Sequence, residues 1–292
     1  MSALLWSVGG LLVGLSGLAW GIYQYYRRRT LERQLTHLLG TSEWLPALSA
    51  LIQRAQRREN ETSASQVFLA EVSHELKTPL AILLGYLDTL EQGGWQDPEI
   101  LLPFLRKALA QVHRMNALVQ DILLLTQIES GNWPIQPEPV LLYPLVEDVW
   151  NKLEPLAQKK RLTLRLPSHE VRDLAVEADP LALQKIFKNL LENAIQYSPE
   201  GKTVTIGWEP LPQGHRVKVW IADEGIGIPP QHLPHIFKRF YRVDKSRSRQ
   251  SGGTGLGLAI VQELIEAHGQ TITVESQEGV GTRFTFYLPA CA

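Results

Sequence analysis

The sequence has almost no cysteine and almost no net charge. Its 292 residues include one cysteine, Cys291, near the C-terminus, and their formal net charge is -1. A single cysteine excludes an internal disulfide framework and a cysteine-rich metal site, and it fits a reducing compartment. The balanced charge offers no broad basic surface, so nucleic acid is a poor candidate for a partner.

Charged side chains are also absent from Ala3 to Ile22, a run of about 20 residues that is long enough as a helix to cross a bilayer. No basic residue precedes this run, as one would in a cleaved signal peptide, whereas three arginines follow it at 27–29. We therefore expect residues 1–26 to be a single-pass anchor in the lipid of the cell (inner) membrane. The arginines place the N-terminus outside and the remaining chain in the cytoplasm. A buried core helix is the alternative.

The polar stretch 27–66 has a helix-friendly composition and is too short for a folded sensor domain. We expect it to be a helical linker. Almost no sequence is left to lie outside the membrane, so we do not expect a large extracellular receptor.

Two apolar stripes of helical spacing follow, separated by Gly93, Gly94 and Pro98. The first comprises Phe68, Val72, Leu76, Leu80, Leu83, Leu87 and Leu90, and the second comprises Leu101, Leu105, Ala108, Val112, Met115, Val119, Ile122 and Leu125. A two-helix hairpin cannot bury both stripes alone, whereas a pair of hairpins can. The pattern therefore predicts that residues 67–131 form a homodimeric four-helix bundle.

A proline-rich linker at 132–139 leads into a region of mixed helices and strands at 140–292. Strands interleaved with helices predict a two-layer α/β sandwich. The predicted helices are Pro144–Lys159, Leu181–Tyr197 and Leu256–Ala267, and the predicted strands are Leu162–Leu166, Ala175–Glu177, Thr203–Trp208, Val217–Ala222, Thr271–Glu275 and Thr282–Leu288.

The first chemical motif is HELKTP at residues 74–79. His74 is two positions from stripe residues on either side, or about 200° around the helix, so its imidazole should face solvent. Thr78 shares that face, and Glu75 is placed to take a proton from one nitrogen while the other attacks. An isolated helical histidine is more often an ordinary surface residue.

The string 74–79 resembles the H-box of the sensor histidine kinases. The resemblance implies that His74 is the autophosphorylation site and that Glu75 is its base. It also implies that Glu75 and Thr78 position a water that dephosphorylates the partner.

The second motif, NLLENA at residues 189–194, places Asn189 and Asn193 on one helix face, where their carbonyls suit Mg²⁺. It resembles the N-box of the same family, which implies that the Tyr197 ring lies against adenine. Many members have a lysine where this chain has Gln196, so one phosphate contact is expected to be missing.

Two glycine-rich motifs complete the predicted nucleotide site. In DEGIGIP at 223–229, the Asp223 carboxylate can accept from the adenine amino group, and Gly225 and Gly227 let the backbone approach the ligand. In GGTGLGL at 252–258, backbone amides and a helix N-terminus form a phosphate site that includes Gly253, Thr254, Gly255 and Gly257. A dinucleotide-binding fold is excluded, because its loop follows an early strand.

Between these loops, Arg239 or Arg242 is placed to reach the γ-phosphate. The stretch 236–249 resembles the F-box and ATP lid of the family. The alternative is a basic, solvent-exposed loop without a role in nucleotide binding, which suits residues 245–249 better than it suits Arg239.

Together the motifs resemble a sensor histidine kinase over residues 67–290. The resemblance implies an ATP-binding α/β sandwich of the histidine kinase and Hsp90 type, with ATP and Mg²⁺ as ligands and a response regulator receiver domain as partner. An ATPase that moves a clamp and a signalling scaffold that binds ATP poorly are the rivals.

Overall fold

The computed structural model describes residues 63–167, 172–212, 215–243 and 253–291. The predicted membrane anchor at 1–26 and most of the predicted linker at 27–66 lie outside these ranges. Within the ranges, no helix has both the length and the apolar character that crossing a bilayer requires.

Two long helices, α1 (Ser63–Glu91) and α2 (Pro98–Glu129), form the predicted hairpin, with a 3₁₀ turn at Gly94–Gln96 between them. The Asp97 side chain accepts a hydrogen bond from Glu99 N at 2.8 Å and so caps the first turn of α2. On α1 the inward positions include Val72 and Leu83.

One residue of the predicted α1 stripe is exposed in the single chain. Leu80 is 43% exposed, and its neighbour Pro79 is buried instead. The reason is the helical period, since a seven-residue step from Val72 leads to Pro79 and not to Leu80. The face of α1 that is buried within the single chain therefore passes through the proline of the HELKTP motif.

A short strand that the sequence did not predict, β1 (Glu138–Leu141), crosses the expected border between linker and sandwich. It pairs antiparallel with β3 (Ala175–Ala178) in a small two-stranded sheet. Pro137 and Pro139 flank and interrupt its alternation, which hides the strand in the sequence. The predicted boundary between 132–139 and 140–292 thus falls within β1.

The main sheet has five strands in the order β2-β4-β5-β7-β6. The strands are β2 (Thr163–Arg165), β4 (Thr203–Pro210), β5 (Arg216–Asp223), β6 (Ile272–Gln277) and β7 (Gly281–Pro289). The β2–β4 pair is parallel, and the other neighbours are antiparallel. All five lie close to the predicted positions.

Three helices cover one face of this sheet: α3 (Leu142–Lys159), α4 (Pro180–Tyr197) and α5 (Gly257–Ala267). Phe187 of α4 meets Phe286 of β7 edge to face, with ring centroids 6.0 Å apart, and both are fully buried. The predicted two-layer α/β architecture is therefore confirmed. It brings the end of α4, the end of β5 and the start of α5 to one side of the domain.

Candidate functional site

His74 lies on the outer face of α1, where its side chain is exposed, as the spacing predicts. Thr78 is one turn further on, and its hydroxyl donates to the His74 carbonyl at 3.4 Å. Glu75 is half-buried beside them. His74, Glu75 and Thr78 therefore share one short stretch of helix, with the imidazole open to solvent.

Helix α4 positions the two asparagines. Asp179 caps its N-terminus by accepting from Ala182 N at 3.0 Å, so the helix starts at a definite residue. Asn189 is 8% exposed, and its Nδ2 has no hydrogen-bond partner among the described residues. A Cβ placed on Gly257 would lie 3.3 Å from Asn189 Oδ1, so the start of α5 lies directly against this side chain. Asn193 is half-buried one turn later.

Asp223 is the last residue of β5, where the chain turns into the first glycine loop. Its Oδ1 accepts from Gly225 N at 2.8 Å and from Thr282 N at 3.3 Å. Burial raises the pKa of this carboxyl to about 6, against the two backbone hydrogen bonds, which lower it. The result is a half-buried carboxylate in a fixed position, suited to an uncharged hydrogen-bond donor.

The first glycine loop is attached to the end of α4. Ile226 N donates to the Tyr197 carbonyl at 3.2 Å, and a Cβ on Gly225 would lie 2.8 Å from that same oxygen. Gly227 has φ +69, and a Cβ there would lie 2.0 Å from the Gln277 carbonyl, so this position requires glycine. Tyr197, Asp223 and the loop are thus brought together, as predicted.

The second glycine loop runs from Gly253 into α5, which begins at Gly257. A Cβ on Gly253 would lie 3.8 Å from the Gln196 side chain, and Gly255, with φ +76, packs closely against the Phe240 backbone. Leu256 N donates to the Thr254 hydroxyl at 3.2 Å. The loop and the N-terminus of α5 therefore lie beside the C-terminal half of α4, and backbone amides at such a helix start are suited to phosphates.

Comparison with known proteins agrees with this geometry. The phospho-acceptor domain of histidine kinases (His Kinase A) matches residues 64–131, and the ATPase domain shared by histidine kinases, DNA gyrase B and HSP90 matches residues 178–292. The chain belongs to the sensor histidine kinases. It carries both the phospho-acceptor and the ATP-binding domain of an ATP-dependent histidine kinase.

Alignments with individual relatives extend over most of this chain. The sensor histidine kinase WalK of Bacillus subtilis (strain 168) is 37% identical over 246 residues, which cover 84% of this chain and 40% of WalK. The chain therefore spans less than half of that relative. The structure of histidine kinase AdeS of Acinetobacter baumannii is 28% identical with a TM-score of 0.59, covering 75% of this chain and 98% of AdeS. Histidine kinase ThkA, solved in complex with response regulator protein TrrA, is 24% identical with a TM-score of 0.63, covering 82% and 65% of the two chains, and shares the fold.

Asn189 and Asn193, the residues predicted to bind a metal, would offer amide oxygens rather than carboxylates. Among the described residues, no group of three or more His, Cys, Asp and Glu side chains is placed to hold an ion. Mg²⁺ commonly takes one or two protein ligands and completes its shell with water and nucleotide phosphates. The buried Asn189 and the half-buried Asn193, beside the phosphate loop, fit that kind of site.

Arg239 lies against the hairpin in this structure. It forms an ion pair with Glu129 at the end of α2, and its Nη2 is 3.9 Å from a carboxylate oxygen of Glu263 on α5. Burial raises the pKa of Glu263, and the neighbouring Glu129 adds to the effect. The arginine that was expected at the γ-phosphate therefore faces two acids. Residues 244–249 of the predicted lid, and Gly252 of the second glycine motif, lie outside the described ranges.

Two contributors to the site were missed by the sequence. Lys160, at the end of α3, donates to the carbonyls of Ile195, Gln196 and Ser198 at 2.9, 2.6 and 3.1 Å and so ties down the end of α4. Asp121 of α2 accepts from Lys185 at 2.8 Å and from the Thr254 hydroxyl at 3.2 Å. Neither residue lies in a sequence motif. Their partners are far away in sequence, so no local spacing predicts these contacts.

Proposed function

We propose that the chain binds ATP between α4 and the two glycine loops and transfers its γ-phosphoryl group to His74. The proposal is supported by the positions of Asp223, the first glycine loop and the phosphate loop, which all lie against the C-terminal half of α4, in a chain whose hairpin presents an exposed histidine. ATP is the substrate that fits a fixed carboxylate at one end of a pocket and helix-terminal amides at the other.

Each part of the pocket has a task. The Asp223 carboxylate accepts a hydrogen bond from the adenine amino group, the Tyr197 ring lies against the base, and the amides from Gly253 to Gly257 hold the phosphates. Asn193 and Asn189 would hold Mg²⁺, which supplies neutralisation of the phosphate charge when bound. An unprotonated imidazole nitrogen of His74 attacks the γ-phosphorus, the bond to the ADP oxygen breaks, and Glu75 takes the proton from the other nitrogen.

Arg239 must change partners for this step. Its planar guanidinium matches the γ-phosphate, and Glu129 and Glu263 occupy it in the described arrangement. Transfer therefore requires the Arg239 guanidinium to leave these two carboxylates.

The acceptor of the second step is an aspartate on the receiver domain of a response regulator. The labile P–N bond of phosphohistidine favours onward transfer to a carboxylate. A structure of the related ThkA contains a bound response regulator, which supports this type of partner. Glu75 and Thr78, on the face of His74, would position the water that later removes the phosphoryl group from the regulator.

The assembly follows from the exposed apolar surface of the hairpin. Leu80, Leu84, Leu102 and Leu109 are 43%, 50%, 54% and 37% exposed in the single chain. A second copy would cover such residues, so we assign 67–131 to dimerisation and phosphotransfer and 140–292 to catalysis. Residues 1–26 would anchor the dimer in the membrane through the linker 27–66.

The test is a two-step labelling experiment. Purified protein incubated with Mg²⁺ and [γ-³²P]ATP should acquire an acid-labile, base-stable label and pass it to a receiver domain. Steady phosphate release without labelled protein, in the absence of any regulator, would favour a clamp ATPase instead.

A further inference from the structure

Ser276, on β6, lies at the end of a polar row that crosses three neighbouring strands. Asp223 of β5 is paired with Thr282 of β7, and Thr282 is paired with Ser276. Residues directly opposite each other in adjacent strands have their side chains on the same face of the sheet. The three polar side chains therefore form a continuous row, which begins at the residue that the proposed function assigns to adenine.

The Ser276 hydroxyl has three hydrogen-bonding neighbours. Ile228 N donates to its oxygen at 2.8 Å, the Gly281 carbonyl lies 2.9 Å away, and the Thr282 hydroxyl lies 2.8 Å away. A serine hydroxyl has one proton and two lone pairs, and a carbonyl can only accept. Because Gly281 takes the Ser276 proton, the Thr282 hydroxyl satisfies the third contact only by donating its own proton to Ser276.

This direction decides what Thr282 presents beside Asp223. Thr282 is 7% exposed, and its backbone N–H donates to Asp223 Oδ1 at 3.3 Å. With its hydroxyl proton turned towards Ser276, the Thr282 oxygen offers lone pairs on its other side. The Asp223 carboxyl, with a pKa of about 6, is mainly ionised at neutral pH and also offers lone pairs. The row therefore presents acceptors at its Asp223 end, the end that the proposed function assigns to the base.

We infer that Ser276 is a positioning residue for base selectivity, which holds the Thr282 proton away from the base so that the pocket accepts a purine with an amino group at C6 and rejects one with a carbonyl there. The inference rests on the proposed ATP site. An amino group donates to lone pairs, whereas a carbonyl oxygen would face other acceptors and remain unpaired in a buried site. Without Ser276, the Thr282 hydroxyl can rotate and donate to such a carbonyl.

The experiment compares ATP with inosine triphosphate, which has a carbonyl at C6 in place of the amino group. Dissociation constants of both nucleotides are measured by titration calorimetry on the full chain with Mg²⁺. The wild-type protein should prefer ATP, and Ser276→Ala should reduce that preference roughly fivefold, the typical value of one hydrogen bond. Ser276→Thr keeps a hydroxyl and should retain the wild-type preference.

A second substitution tests the role of the Thr282 proton directly. Thr282→Val added to Ser276→Ala removes the released donor, so the preference for ATP should return. If Ser276→Ala does not fold, Ser276→Cys, with a weakly hydrogen-bonding thiol of similar shape, is measured in its place.

The ratio of the two constants separates selectivity from general loosening. Loss of the Ile228 contact alone would weaken the binding of both nucleotides equally and leave the ratio of their dissociation constants unchanged. An unchanged ratio in Ser276→Ala therefore overturns the inference. A wild-type protein that binds both nucleotides equally also overturns it. Binding of ATP by the wild-type protein leaves the proposed function intact even if the inference fails. Binding of neither nucleotide refutes the ATP site itself.

Discussion

Arg239 of the α/β domain and Glu129 of the second hairpin helix form an ion pair. Arg239 is the arginine proposed for the γ-phosphate, and Glu129 is the last residue of α2, just before the linker at 132–139. Thr254 of the phosphate loop is joined to Asp121 of the same helix by a hydrogen bond of 3.2 Å. Helix α2 thus contacts two groups that the nucleotide would also use.

Glu129→Gln should therefore make ATP easier to bind. Loss of the carboxylate removes a competitor for the Arg239 guanidinium, and both side chains are about one-third exposed, so the effect is modest. We expect KM for ATP in autophosphorylation to fall about twofold to threefold, with little change in the maximal rate. Glu154→Gln, an exposed substitution on α3, is the matched control. A KM that stays the same or rises would contradict competition between Glu129 and the phosphate.

Asp121→Asn should destabilise the folded chain. Its ion pair with Lys185 is largely enclosed, with side-chain exposures of 13% and 26% for Asp121 and Lys185. Removal of one charge leaves the other poorly solvated, which costs about 1–3 kcal/mol. Thermal unfolding measures the loss. Lys152→Gln breaks the Lys152–Asp148 pair, which is shorter, at 2.6 Å against 2.8 Å, but exposed, and should change the midpoint very little. If Asp121→Asn changes the unfolding midpoint as little as Lys152→Gln does, the Asp121–Lys185 contact is not formed in solution.

Asp223→Asn should stabilise the nucleotide-free protein while it weakens ATP binding. Burial raises the pKa of Asp223 from 3.8 to about 6. A carboxyl with a raised folded-state pKa contributes stability that is fully present below its unfolded pKa and is lost as the pH rises through the folded value. The ionised Asp223 side chain therefore lowers the free energy of unfolding of the wild-type protein at pH above about 6.

The measurement is the unfolding free energy of both proteins across pH. The asparagine variant should be the more stable one by about 1–3 kcal/mol above pH 7, and the difference should disappear below pH 4. A difference that does not depend on pH would mean that the carboxyl is solvated in the free protein.

Thr78→Ala should separate the two activities proposed for the hairpin. The hydroxyl donates to the backbone carbonyl of His74, so its loss should leave the imidazole in place. We expect autophosphorylation to persist and dephosphorylation of the regulator to fall at least about tenfold, as when a water-positioning group is lost. Thr89→Ala, which removes a similar hydroxyl-to-carbonyl bond further along α1, is the control. An unchanged rate of dephosphorylation would remove Thr78 from the mechanism.

Local patterns were sufficient for most of this fold and pocket. Apolar periodicity indicated α1, α2 and α4, because each helix buries one face, and the glycine loops were visible because Gly227 and Gly255 require a backbone without Cβ. Strand β1 was missed because prolines mask its alternation. No local pattern pairs Lys160 with the end of α4.

The same limit applies to the contacts with the hairpin. Asp121 lies 64 residues from Lys185 and 133 from Thr254, and no spacing rule reaches across such distances. The surroundings of Arg239 depend on the placement of one domain against another. Its partners are therefore set by packing and not by its motif.

The central claim is phosphorylation of one imidazole, and the most direct measurement compares two histidines of the hairpin. His74 and His113 are both exposed on long helices, and the HELKTP motif contains only His74. Full-length protein is incubated with Mg²⁺ and [γ-³²P]ATP, and the acid-labile label is quantified. We predict that His74→Gln abolishes the label while nucleotide binding survives, and that His113→Gln retains it. Undiminished label on His74→Gln would contradict the assignment.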